Sequence, residues 1–190
     1  MMELEQAIAT RRTIRRFAQQ SVAEDELRTI ADAGRLAASA GNRQPCRFVA
    51  VSRRERVERM HAHVAWLAGA GDPPPGARPV AYMVIIADPT VNRNYASDCA
   101  AAAQNMLLAA HGRGISGCWI GSVNRDAVRE LLGVPAALEI YCVIAFGYPA
   151  ERAMAHDAQG DMAVTRDPDG VVHVPKRRLA DVLRFDGWQG

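Results

Sequence analysis

The chain has 190 residues, 49% hydrophobic, 23% charged and only 6% aromatic, which predicts one globular domain over 1–190 that folds without disulfides. Its 23 basic and 21 acidic side chains leave a net charge of +2, too balanced to make nucleic acid the expected partner. No apolar run approaches the ~20 residues of a membrane span.

The opening MMELEQAIATRR carries Glu3 and Glu5 and lacks an apolar core, so no targeting segment is expected and the protein reads as soluble and cytoplasmic. Leu4, Ala7 and Ile8 recur at helical spacing and predict a helix over 3–11. A second helix is expected over 23–37. Ser21 and Glu24 match the S-x-x-E capping box, and Glu24, Asp25 and Glu26 suit a helix N-terminus. RFVAVS (47–52) reads as a strand and 53–66 as a charged helix. Prolines in GAGDPPPGARP (69–79) lack an amide proton and fix φ, which makes that stretch a surface loop or lid. VAYMVIIAD (80–88) is a continuous apolar run of strand length.

Residues 96–112 form the clearest helix, alanine-rich and apolar almost all round, so it must be buried centrally or in a subunit interface. ISGCWIG (115–121) is a short strand, NRDAVRELLG (124–133) a helix capped by Asn124, and LEIYCVIAFGYP (138–149) another buried strand. Residues 151–173 are polar and irregular, with a turn at Asp169-Gly170, and a short helix over 177–185 closes the chain. Strands that alternate with helices and are apolar on both faces predict a sheet covered by helices on both sides.

Some patterns mislead. Gly112-Arg113-Gly114-Ile115-Ser116-Gly117 matches the dinucleotide fingerprint G-x-G-x-x-G. Its mechanism needs a strand entering and a helix leaving, and here the order is reversed. A helix C-cap, with Gly112 and Gly114 in left-handed conformations, fits better. His61 and His63 are two apart on a predicted helix, face different ways and read as solvated. Cys46, Cys99, Cys118 and Cys142 are widely spaced and read as reduced, small apolar residues. No G-x-S-x-G elbow, H-E-x-x-H zinc motif or P-loop is present.

Three separated segments share one theme. Arg11-Arg12-Thr13-Ile14-Arg15-Arg16 ends the first helix with four arginines and a hydroxyl. Ser39-Ala40-Gly41-Asn42-Arg43-Gln44-Pro45 is a small polar turn, and Pro175-Lys176-Arg177-Arg178-Leu179 is a second basic cluster holding the chain's single lysine. Guanidinium forks and a compact ammonium suit a phosphate monoester. Taken singly, each segment is better read as ordinary solvated charge.

In combination they are more specific. R-R-T-I-R-R-F, A-S-A-G-N-R-Q-P, Asp98 with Q-N-M-L-L-A-A, G-C-W-I-G, F-G-Y-P and V-P-K-R-R-L follow one another over nearly the whole chain. In that order the chain resembles the nitroreductase family of FMN-dependent oxidoreductases. The resemblance implies an α+β, three-layer α/β/α fold, its central sheet mixed but largely antiparallel, and a homodimer with FMN at the subunit interface. By matching motifs it assigns Arg11, Arg12, Thr13 and Arg15 to the flavin's phosphate, ribityl chain and pyrimidine edge. Ser39, Ala40 and Asn42 would reach the flavin of the other subunit. Ile120 or Gly121 would offer a backbone amide near flavin N5, and Lys176 and Arg178 would hold the phosphate.

The implied reaction passes a hydride from NAD(P)H through FMN to a small acceptor, nitroaromatic or quinone-like, in a ping-pong cycle. No catalytic side chain is then needed, and no metal. Reductive dehalogenation, flavin breakdown or a non-catalytic FMN-sensing role would use the same site. Two positions depart from the family pattern: Ala38 replaces the usual proline before Ser39, and Cys46 replaces the usual aromatic after Pro45.

Overall fold

The most apolar runs of the chain become its central strands. In the computed structural model, which describes residues 2–66 and 72–188, β2 (Ala81–Ala87) is buried at every position and β4 (Glu139–Gly147) at most. They pair antiparallel with each other, and β1 (Cys46–Val51) and β3 (Ser116–Ile120) extend the sheet in the order β1-β2-β4-β3. Every pairing in this sheet is antiparallel.

Alternation along β2 and β4 divides the sheet into two faces. Met83, Ile85, Ile144 and Phe146 share one core cluster with Cys99, Ala103, Met106 and Leu107 of α4 (Ala96–His111). Leu27 and Ile30 of α2 (Glu24–Arg35) join the same cluster. From the other face, Tyr82 reaches α3 (Arg54–His61), where its hydroxyl lies 3.2 Å from His61 Nδ1. The expected layer of helix on each side of a sheet is therefore present.

α1 (Leu4–Thr10) precedes the sheet and α5 (Arg125–Leu132) leads into β4. As expected, the Asn124 side chain caps α5 by accepting from the Ala127 amide, 3.2 Å away. Four expectations change. α2 begins after Ala23 with no side-chain cap, so the Ser21 capping box does not form. Val22 enters the core cluster just before the helix, and that burial sets the chain's approach. α3 stops at His61, because Val64 bridges Val123 and the Ala65 amide donates to the Ser122 carbonyl. His61 is half-buried against Tyr82 rather than solvated, and burial holds its pKa below the ordinary histidine value. Gly114 has the left-handed φ of +74°, whereas Gly112 stays right-handed at −60° and continues the helix.

Residue contacts gather into two units, Met1–Ala150 and Glu151–Gly190. The second contains β5 (Ala153–Asp157), β6 (Thr165–Arg166), β7 (Val172–Lys176) and α6 (Leu179–Val182). β7 pairs parallel with β5 and antiparallel with β6. The stretch read from sequence as irregular is thus a small sheet. Its expected turn at Asp169-Gly170 is present, with Gly170 at φ +80°. Asp167 ties that turn: its carboxylate accepts from the Val171 amide at 2.8 Å and lies 2.8 Å from His173 Nε2.

Candidate functional site

The first arginine motif is a strap sewn onto the end of the sheet. After α1 the chain runs extended, the Ile14 amide donating to the Gly117 carbonyl and the Ala18 amide to the Tyr148 carbonyl. Phe17 bridges Pro149, and the Ala150 amide returns a bond to the Arg16 carbonyl. The Phe17 ring is fully buried over Gly147, where an added Cβ would sit 2.9 Å from it. Gly117 is equally constrained, since its Cβ would fall 2.7 Å from Leu107 and 2.9 Å from Phe146. Three motifs distant in sequence are therefore one packed assembly.

That assembly aims Arg15 into a cavity of about 460 Å³ lined also by Ala65, Trp66, Cys118, Trp119, Ile120, Gly121 and Ser122. Its volume lies within the range of small-molecule sites. Trp66 and Trp119 give it flat apolar surface, and the Trp66 indole nitrogen is buried without a hydrogen-bond partner among the described residues. A ligand acceptor atom would satisfy it. Gly121 follows the last paired residue of β3, and Arg125 fixes the backbone there. The Arg125 guanidinium donates to the carbonyls of Gly121 (3.3 Å), Ile140 (2.9 Å) and Tyr141 (3.1 Å).

Arg11, Arg12 and Thr13 are half-buried beside the C-terminus of α1. Arg12 donates to the carbonyls of Arg11 and Ala9, a favourable place for a cation, while its Nε is buried without a partner. No carboxylate among the described residues forms a salt bridge with either arginine. Burial, reinforced by repulsion from Arg12, pulls the Arg11 pKa below its ordinary value, and burial does the same to Arg12. His111 stands close by, 2.8 Å from Thr10 Oγ1, its own pKa lowered by burial and by both arginines. Crowded, half-buried cations lacking a counter-ion are relieved by a bound anion.

Ser39, Ala40 and Asn42 lie in a tight turn whose Gly41, Asn42 and Gln44 all have φ between +54° and +58°. Left-handed backbone at two non-glycine residues costs free energy and must be held from outside. Ser39 Oγ accepts from the Gln44 amide at 3.1 Å, and the Gln44 side chain donates to the Asn42 carbonyl and amide oxygens, each at 3.2 Å. Asp98 of α4, only 5% exposed, accepts from the Ala40 amide at 3.0 Å and from Asn92 at 2.8 Å. Ala40 and Asn42 remain exposed.

In the second unit, Lys176 ends β7 with its side chain exposed. Arg178 pairs with Asp181 at 2.9 Å, and that hydrogen bond raises its pKa. The structure therefore gathers Arg15 with Ile120 and Gly121 in one cavity. Arg11, Arg12 and Thr13 form a separate cationic patch, and Ser39, Ala40 and Asn42 a separate turn. Sequence reasoning missed Trp66, Trp119, Arg125 and His111. Trp119 sat inside the G-C-W-I-G motif, but Trp66 and His111 become visible only through the partners the fold brings them.

Residues 8–148 match the model of the nitroreductase family. The chain belongs to that family. A protein of Archaeoglobus fulgidus, provisionally named NADH dehydrogenase/NAD(P)H nitroreductase, is 34% identical over 166 residues, or 83% of this chain and 92% of that one. The NADPH-flavin oxidoreductase of Vibrio harveyi is 26% identical, over 76% of this chain and 65% of its own. Among solved structures, a provisionally named nitroreductase in complex with FMN, from a Desulfovibrio desulfuricans subspecies, superposes with a TM-score of 0.70. It is 27% identical, with 100% of this chain and 99% of that one covered. No helix among the described residues is long and apolar enough to cross a membrane.

Proposed function

We propose that the protein is an FMN-dependent oxidoreductase that takes electrons from NAD(P)H and delivers them to a small acceptor, nitroaromatic or quinone-like. The observation that carries this reading is the cavity that unites Arg15, the Ile120-Gly121 backbone and two indole surfaces. Those residues fit a flavin ring: a permanent cation for the pyrimidine edge, a backbone amide for N5 and apolar walls for a planar group. Bound FMN would supply the hydride chemistry, accepting from the donor and passing to the acceptor in turn.

The protein's part is binding and electrostatics. Arg15 supplies a guanidinium fork for the pyrimidine edge. Of the two amides assigned to N5, Gly121 is the better placed, lying beyond the strand pairing and fixed by Arg125. Arg11, Arg12 and Thr13 take the phosphate and ribityl oxygens, relieving the mutual repulsion of the arginines. Lys176 and Arg178 are assigned to phosphate on the strength of their motif alone, and Arg178 must then exchange Asp181 for phosphate. Ser39, Ala40 and Asn42, exposed on one protomer, serve the site of its partner in a homodimer. Trp66 and Trp119 favour flat acceptors.

In this reading residues 1–190 work as one functional domain, and a nicotinamide donor supports a cytoplasmic location. Reconstitution with FMN, followed by anaerobic reduction with NADH or NADPH and reoxidation by nitroaromatics and quinones, tests it. Bleaching and recovery of the flavin band is expected. A protein that takes up no FMN ends the proposal.

A further inference from the structure

Cys46 opens β1, directly after the strained turn, and Cys99 lies in the first turns of α4, beside Asp98. Their sulfur atoms are 3.5 Å apart, although 53 positions separate them in sequence. The two differ in access. Cys99 is fully buried, whereas Cys46 is half-exposed and lines a cavity of about 160 Å³ with Arg35, Ser39, Gln44, Arg47 and Asp98. We propose that Cys46 and Cys99 are a peroxide-reactive thiol pair, Cys46 meeting the oxidant and Cys99 resolving it as a disulfide.

The step balances. The Cys46 sulfur attacks one oxygen of a hydroperoxide such as hydrogen peroxide, the O–O bond breaks, and the departing hydroxide leaves as water with the thiol proton. Cys46 is then a sulfenic acid, oxidised by two electrons, and the peroxide is reduced. Cys99 sulfur attacks that sulfur, the S–O bond breaks, and a second water departs with the Cys99 proton. Two thiols and one peroxide give one disulfide and two waters.

The surroundings suit each role. The hydrogen bond between the sulfurs holds the Cys46 thiol below its ordinary pKa, helped by Arg47 and opposed by burial and Asp98. The same contact, together with burial, pushes the Cys99 thiol upward. A low-pKa, accessible thiol beside a resolving partner is the arrangement that reversible oxidation requires. Cys142 is fully enclosed and pushed up to about 12 by burial, which leaves it inert.

A bond between these sulfurs would also pin the start of β1 to the helix whose Asp98 holds the Ala40 amide. The turn assigned to the partner's flavin would then be tethered at two adjacent points. The pair is independent of the flavin assignment, because its oxidant comes from outside.

The test treats the FMN-reconstituted protein with stoichiometric hydrogen peroxide, alkylates the remaining thiols and maps peptides without reduction. The expected product is a Cys46 peptide linked to a Cys99 peptide, two hydrogens lighter and released by dithiothreitol, with Cys118 and Cys142 alkylated. In Cys99→Ala, Cys46 should instead stop at sulfenic acid, trapped by dimedone, and advance to sulfinic acid only when a second equivalent of peroxide is added. Wild-type protein in which Cys46 reaches sulfinic acid unlinked, or in which no linked peptide forms, overturns the proposal. Because the wild type alone decides this, a poorly folding variant does not protect it.

Discussion

The two units of the chain treat apolar side chains in opposite ways. In the first, β2 is sealed from solvent along its length and Phe17, Ile30, Met60 and Ile144 are fully buried. In the second, Val172 and Pro175 are the buried apolar side chains among the described residues, while Leu179 is 70%, Trp188 75% and Phe185 82% exposed. A segment of that size without a core lacks the burial to stand alone. The contrast separates a scaffold that stabilises itself from an arm whose largest apolar side chains are exposed. In the proposed homodimer a second copy of this chain would cover them.

The largest effect should come from the scaffold. Phe17→Ala removes a fully enclosed ring and should cost about 3–5 kcal/mol of stability, read by urea or thermal unfolding. A loss under 1 kcal/mol would mean that the strap is not part of the core.

Next comes the question of whether both units serve one ligand. Arg11→Ala in the first, and Lys176→Ala with Arg178→Ala in the second, should each weaken FMN binding. A charge-assisted phosphate contact contributes about 1.5–3 kcal/mol, or roughly ten- to a hundredfold in Kd. Riboflavin, which lacks the phosphate, should bind weakly to every form. If only the Arg11 variant responds, the arm has no part in the phosphate site.

Arg15→Gln should act on chemistry more than on affinity. In the proposed assignment its charge faces an edge that becomes negative only on reduction, so the bound flavin's potential should fall, by roughly 30 mV for each 1.4 kcal/mol of differential binding lost. Spectroelectrochemical titration reads this directly, and an unchanged potential assigns the pyrimidine edge to another cation. The smallest effect on protomer stability belongs to the arm. Phe185→Ser should change it by no more than ~0.5 kcal/mol, yet loosen self-association in sedimentation experiments. Equal damage to both would erase the distinction between scaffold and arm.

The same distinction explains what was legible in the sequence. β2 announces itself because it buries every residue, and α4 because its sequence is mostly alanine and aliphatic, although only seven of its sixteen residues are buried; a continuous apolar run needs no partner to be recognised. Asn124 and Gly133 bracket α5 by local chemistry alone, with Gly133 in the left-handed conformation. β5 and β7 were opaque, since β5 is mostly exposed, β7 buries only Val172 and Pro175, and pairing depends on backbone contributed elsewhere. Burial on both faces suggested a covered sheet and was right, but it does not encode direction: the central strands are antiparallel throughout. At the site, the arginines and Gly121 could be read from their motifs. The meeting of Trp66 with Trp119 could not, because 53 positions separate them and only the Val64–Val123 bridge aligns their segments.

The strap carries a consequence for how the protein is made. Ile14 and Ala18 are held by Gly117 and Tyr148, and Phe17 by Gly147 and Pro149. At about 5–20 residues per second, a ribosome needs on the order of ten seconds to travel from the strap to those partners. The arginines that leave the ribosome first are therefore among the last groups to find their places, waiting unfastened while α2, β2 and α4 are still being synthesised. Loading with cofactor becomes an event of the finished chain, and a nascent chain stalled before β4 would carry the binding motif without the means to use it.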